Sequence, residues 1–95
     1  MRLKQIKEQL VLVLINHYAF EQYEFDDMTR GKTVKELDID SIALLELFLV
    51  IEEAFGLNVK LSTSLDMPSL MDSSVEKFFD VVSLEIFKIY KADPR

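Results

Sequence analysis

The stretch KELDIDSIALLELFLVIEEAFG, residues 35–56, combines a strongly apolar helical pattern with charges of one sign. It holds six acidic residues, and after Lys35 no basic residue occurs before Lys60. Asp40 and Ser41 stand where a helix would begin, because their side chains accept hydrogen bonds from the free N–H groups of a helix N-terminus. Gly56 stands at a natural C-terminal cap position. We therefore predict a helix from Ser41 to Phe55.

An advance of about 100° per residue divides this helix into two faces. The predicted core side is apolar throughout and consists of Ala43, Leu44, Leu47, Phe48, Val50, Ile51, Ala54 and Phe55. The opposite side mixes three aliphatic residues with three glutamates, namely Ile42, Leu45, Leu49, Glu46, Glu52 and Glu53. Two interpretations of this side remain open. It is either a solvated acidic face with incidental exposed leucines, or a docking surface whose charges steer a basic partner.

Two further long helices are predicted from apolar residues that recur at three- and four-residue spacing. The first covers residues 2 to about 19, with the repeat Leu3, Ile6, Leu10, Leu14 and Tyr18. The last begins at a capping box of Ser73 and Glu76, and its repeat is Val75, Phe78, Phe79, Val82, Ile86 and Ile89.

The connections between these helices differ in length. A short helical turn is predicted near DMPSLM, because Pro68 is tolerated early in a helix. Residues 20–40 form a long first loop, and such a connection in a small domain is usually functional or carries a turn of its own. The sequence thus predicts an all-α four-helix bundle with three long helices, one short helix and a long first loop.

Composition limits the possible functions. We expect one free-standing, monomeric domain over residues 1–95. The net charge of −6 argues against a nucleic-acid partner and favours a basic protein partner. The chain has no Cys, which excludes disulfides and thiolate sites. The longest apolar runs are too short to span a bilayer, and the N-terminus does not resemble a signal peptide, so we expect a cytoplasmic location.

The Asp40-Ser41 pair carries the most specific chemistry. In isolation such a pair usually means no more than a helix cap. A Ser in the first turn also places its hydroxyl where free N–H groups and the positive end of the helix dipole favour an attached phosphate. A phosphodiester on Ser41 would therefore be electrostatically favoured.

Residues 37–56, LDIDSIALLELFLVIEEAFG, resemble the signature of acyl carrier proteins. In that family an Asp-Ser-Leu motif opens the second helix, and a Glu-Leu and then a Glu-Glu pair follow at these spacings. The residues that match in register are Asp40, Ser41, Glu46, Leu47, Glu52, Glu53 and Phe55. The resemblance implies a bundle of acyl-carrier type in which Ser41 carries 4′-phosphopantetheine. A phosphopantetheinyl transferase that needs Mg²⁺ would transfer this group from coenzyme A.

The resemblance also implies the partners of the second helix. Glu46, Glu52 and Glu53 would match the family's acidic recognition residues, with Ile42 and Leu49 as apolar contacts between them. Leu45 on the same face completes the predicted partner-binding set. The partners would be the transferase and acyl-transferring or acyl-modifying enzymes with basic docking patches, in fatty-acid or related acyl or polyketide biosynthesis. The prosthetic group would bring the thiol that the chain lacks.

The sequence departs from the family pattern in three places. The usual Gly before the Asp-Ser pair is Asp38, which tolerates left-handed backbone better than most residues. Ile42 replaces the commoner Leu, and the segment between Phe55 and the last helix is longer than in fatty-acid carriers. These differences favour a specialised carrier.

Other functions remain as alternatives. One is an acidic adaptor that keeps the fold and the docking face but carries no phosphopantetheine. Another is an aminoacyl or peptidyl carrier, although such carriers more often have Gly-Gly ahead of the Ser. An enzyme is the least supported alternative, because one His, no Cys and no Gly-rich phosphate loop leave little from which to assemble a catalytic site.

Overall fold

Three long and two short α-helices form the computed structural model, which describes residues 2–18, 30–37 and 39–92. The helices are α1 (Leu3–Tyr18), α2 (Ser41–Phe55), α3 (Leu61–Ser64), α4 (Met67–Met71) and α5 (Val75–Ala92). A 3-10 turn covers Lys35–Leu37. Within the described ranges no β-strand occurs, and no helix is long and apolar enough to cross a bilayer. The predicted all-α class is confirmed.

The three long helices lie where the apolar repeats predict them. The bounds of α2 agree with the prediction, and α1 begins one residue later than predicted, while residue 19, its predicted end, lies outside the described residues. The predicted capping box at the start of α5 is wrong. Ser74 caps this helix, because its Oγ accepts a hydrogen bond from the Lys77 backbone N–H at 3.1 Å. The Ser73 hydroxyl instead donates to the Ser69 carbonyl at 2.7 Å, so Ser73 belongs to the end of α4.

The segment between α2 and α5 holds two short helices instead of the one predicted. The predicted turn is α4, where the Asp66 side chain caps the helix by accepting from the Ser69 N–H and Pro68 lies in the first turn. The additional helix α3 is a single turn closed by a hydrogen bond from the Leu65 N–H to the Leu61 carbonyl at 2.9 Å. A four-residue turn produces no apolar period, which is why the sequence does not predict it.

The core lies between the long helices, and α1 packs against both α5 and α2. Its fully buried large side chains come from all three long helices, from α3 and from Val34 of the first loop, and include Ile6, Leu10, Leu44, Leu47, Phe48, Ile51, Leu61, Phe78 and Ile86. The rings of Phe48 and Phe78 are parallel, with centroids 6.5 Å apart. An ion pair between Lys7 and Asp80 joins α1 to α5 on the outside of this core.

The described end of the predicted first loop is fastened to the start of α5. The Val34 N–H donates to the Ser73 carbonyl at 3.0 Å, and the Val75 N–H donates to the Lys32 carbonyl at 2.9 Å. Thr33 and Glu36 exchange hydrogen bonds in a capping box that begins the 3-10 turn. The loop thus carries a turn of its own, which is one of the two possibilities that its length suggests. Its residues 20–29, and Asp38, where the turn before the Asp-Ser pair is expected, lie outside the described residues.

Candidate functional site

Asp40 fixes the point at which α2 begins. Its backbone is extended, with φ −82° and ψ −179°, and its Oδ1 accepts from the Ala43 N–H at 2.7 Å. Its carbonyl accepts from the Leu44 N–H at 2.9 Å. Ile39 and Leu44, on either side of this cap, are both buried in the core, which is the arrangement of a hydrophobic staple. Asp40 is therefore the helix cap, and Ser41 is the first residue of the helix.

Ser41 is exposed at the positive end of the α2 dipole. The first N–H groups of a helix have no partner within the helix. Asp40 takes the Ala43 N–H, while among the described residues the Ser41 and Ile42 N–H groups have no partner. These donors suit a negatively charged group attached to the Ser41 oxygen.

A row of residues four apart runs from Ser41 along the outside of α2. It consists of Ser41, Leu45, Leu49 and Glu53, all of them exposed, and Ile42 and Glu46 lie beside it. We call these six residues the outer face. Residues four apart lie on one side of a helix, so the row is about 18 Å long. The Ser41 hydroxyl therefore lies at one end of a continuous surface.

Apolar exposure is concentrated on this outer face. Six large hydrophobic residues are exposed in the described part of the chain, and three of them are Ile42 (67% exposed), Leu45 (43%) and Leu49 (59%). Single exposed leucines are normal on protein surfaces, whereas contiguous apolar patches with a polar rim mark interaction sites. The rim consists of Glu46 and Glu53, which are exposed.

The third glutamate of the predicted set, Glu52, has different surroundings. It is half-buried, and its Oε2 accepts a hydrogen bond from the Leu61 N–H at 3.0 Å. This contact joins α2 to the first residue of α3. The sequence gives no sign of it, because the two residues are nine positions apart and in different helices.

The C-terminal end of α2 is held by several hydrogen bonds. Gly56 adopts a left-handed backbone with φ 64°. Its N–H donates to the Glu53 carbonyl at 3.2 Å, and the Leu57 N–H donates to the Glu52 carbonyl at 2.9 Å, as in a Schellman motif. The Tyr90 hydroxyl of α5 donates to the Phe55 carbonyl at 2.6 Å. Partial burial raises the pKa of Tyr90 above its ordinary value.

The two faces of α2 follow the helical-wheel prediction except at four residues. Leu44, Leu47, Phe48, Ile51 and Phe55 are buried as predicted. On the predicted core side Ala54 is exposed, while Ala43 and Val50 are only half-buried. On the opposite side Glu52 is half-buried. The buried stripe is narrower than predicted because Val50, Ala43 and Ala54 lie together along one edge of the predicted core side.

The arrangement places an exposed hydroxyl and an exposed, partly apolar surface on one helix. Within the described residues no side chain donates to or accepts from the Ser41 hydroxyl. The chain matches no protein-family model, and comparisons with curated proteins and with solved structures found no significant match.

Proposed function

We propose that this chain is an acyl carrier protein. It would hold acyl groups as thioesters on a 4′-phosphopantetheine arm attached to Ser41 and present them to partner enzymes. The observation that carries the proposal is the position of Ser41, exposed as the first residue of α2 and continuous with the outer face. An attachment point at the end of a docking surface allows a bound enzyme to reach the arm.

The chemistry of attachment uses groups on both proteins. The Ser41 oxygen would form a bond to the β-phosphorus of coenzyme A, and the pyrophosphate bond would break to release adenosine 3′,5′-bisphosphate. The hydroxyl proton would pass to a base of the transferase. The N–H groups at the start of α2 and the helix dipole would stabilise the resulting phosphodiester.

The outer face would meet the partner. Ile42, Leu45 and Leu49 would supply apolar contacts, and the exposed Glu46 and Glu53 would attract a basic enzyme surface. The thiol that the chain lacks arrives with the arm, which supplies a tethered intermediate to successive active sites at high effective concentration. The proposal thus assigns a role to the lack of Cys, the acidic charge and the exposed aliphatic residues.

A test of this proposal is covalent modification. Incubation with coenzyme A, Mg²⁺ and a broad-specificity phosphopantetheinyl transferase should add the mass of one phosphopantetheine to the chain. The Ser41→Ala variant should gain no mass. The control variant Ser64→Ala, changed at another exposed serine, should gain the same mass as the wild type. Intact-protein mass spectrometry distinguishes these outcomes. Modification at another residue, or no modification with several transferases, would contradict the proposal and favour an adaptor that carries no prosthetic group.

A further inference from the structure

The three glutamates of α2 have different surroundings. Glu46 and Glu53 are exposed, and among the described residues neither carboxylate has a hydrogen-bond or ion-pair partner. Glu52 is half-buried and accepts from the Leu61 N–H at 3.0 Å. A carboxylate bonded to a backbone N–H is a charge-assisted hydrogen bond of the stronger kind. The sequence alone predicts the same recognition role for all three glutamates, whereas their contacts distinguish Glu52 from the other two.

The bond from Glu52 supplies what the start of α3 lacks. Lys60 at the cap position has an extended backbone and makes no side-chain cap hydrogen bond. Leu61, the first residue of α3, is fully buried. A helix of one turn is unstable alone, and a buried N–H without a partner costs free energy. Glu52 provides the acceptor from nine residues earlier.

The backbone of Glu52 holds the same connection at its other end. Its carbonyl accepts from the Leu57 N–H at 2.9 Å, while its side chain accepts from the Leu61 N–H at 3.0 Å. One residue therefore fixes both the exit of the chain from α2 and its entry into α3. Leu61, held in this way, contributes its side chain to the core.

We propose that Glu52 is a positioning residue that holds the start of α3 against α2, whereas Glu46 and Glu53 carry the charge that a basic partner meets. The part that concerns the partner rests on the proposed function, and the part that concerns α3 does not. The Glu52 carboxylate is half-buried and its Oε2 already accepts from the Leu61 N–H, so it offers a partner cation less than the two exposed glutamates do. Glu52 is thus the poorer docking charge of the three.

The positioning role is tested by hydrogen exchange at single amides, measured by NMR without any partner. Glu52→Ala should make the Leu61 amide exchange about tenfold faster, because the opening of this hydrogen bond becomes easier. Glu52→Gln keeps a carbonyl oxygen as acceptor and should stay within about threefold of the wild type. The Ala43 amide, which is bonded to Asp40 at the other end of α2, should exchange at the wild-type rate in both variants.

Three results would overturn the positioning role. They are an unchanged Leu61 amide in Glu52→Ala, equal acceleration of the Ala43 amide, and a Glu52→Gln variant that exchanges as fast as Glu52→Ala. The second of these would mean a loss of overall stability, and the third would mean that the acceptor oxygen is not what holds the Leu61 N–H.

The different roles of the three glutamates are tested with three single substitutions. The transferase's specificity constant is measured for each variant at low and high ionic strength. Glu46→Gln and Glu53→Gln should each lower the constant at low salt and flatten its salt dependence. Glu52→Gln should leave both close to the wild type. A decrease for Glu52→Gln equal to that for Glu53→Gln would show that Glu52 meets the partner and would overturn the proposal. A wild type that is not modified at all would contradict the proposed function, while the exchange result would stand.

Discussion

The two faces of α2 are built from the same kinds of apolar residue but differ in exposure. We call the buried residues of α2 the inner face. Three of them, Leu44, Leu47 and Ile51, are fully buried, whereas on the outer face Ile42 is 67% and Leu49 is 59% exposed. The inner residues contribute to folding, since apolar area removed from water stabilises the native state by about 25 cal/mol per Å². The outer residues gain little from folding. The comparison separates the residues that make the fold from those available to a partner.

The largest expected difference comes from truncating an apolar side chain that packs against the inner face and one that lies on the outer face. Phe78 of α5 is 2% exposed and stacks against Phe48 of the inner face. Phe78→Ala should therefore lower the free energy of unfolding by about 3–5 kcal/mol, out of a total of about 5–15 kcal/mol for a domain of this kind. Leu49→Ala on the outer face should change it by no more than about 0.5 kcal/mol.

Thermal or urea unfolding followed by circular dichroism measures both variants. A Leu49→Ala variant as unstable as Phe78→Ala would show that the outer face is buried in the folded protein, and the distinction between the faces would be wrong. Phe55→Ala also removes a buried ring of the inner face, so its loss of unfolding free energy should be close to that of Phe78→Ala.

A smaller effect is expected where α5 holds the C-terminal end of α2. Tyr90→Phe removes the hydroxyl that donates to the Phe55 carbonyl at 2.6 Å and leaves the ring in place. The free energy of unfolding should fall by about 1 kcal/mol at neutral pH. Urea unfolding measures this change, and no change would mean that water replaces the hydroxyl without cost.

The burial of Tyr90 also predicts that the free energy of unfolding depends on pH. Burial raises the pKa of Tyr90 in the folded protein above its value in the unfolded chain, which is about 10. The folded state therefore favours the protonated hydroxyl, so this contribution is present at neutral pH and is lost as the pH rises from about 10 through the raised pKa. Tyr90→Phe should show less loss of stability over that range than the wild type.

Much of this comparison could be predicted from the sequence, because the signals of α2 are local. Its caps lie at its ends, and its apolar period assigns the buried residues correctly except at the edge, where Ala54 is exposed. The exposed residues of the candidate site follow from the same period. That Ser41 lies on the same side of α2 as Leu45 and Leu49 follows from their four-residue spacing.

What the sequence could not predict depends on contacts between distant positions. The α3 turn exists where the Glu52 carboxylate meets the Leu61 N–H, nine residues away. The cap of α5 is Ser74 instead of Ser73, because the Ser73 carbonyl accepts from the Val34 N–H and the Ser73 hydroxyl donates to the Ser69 carbonyl. In both cases a tertiary hydrogen bond decides between local alternatives that the sequence leaves nearly equal.

The smallest effect on stability, and the sharpest test of the outer face, is expected from reversing one charge. Glu53 is exposed in the last turn of α2, where Lys would complement the helix dipole, so Glu53→Lys should leave the melting temperature unchanged or slightly raise it. Glu8→Lys makes the same change in net charge at an exposed position of α1 and serves as the control. The transferase's specificity constant should fall for Glu53→Lys at low ionic strength and much less for Glu8→Lys. It should also lose salt dependence only for Glu53→Lys, since the screening length shortens from about 30 Å at 0.01 M to about 3 Å at 1 M salt. Equal losses in the two variants would mean that the enzyme responds to net charge alone, and the glutamates of the outer face would then be a solvated surface without a recognition role.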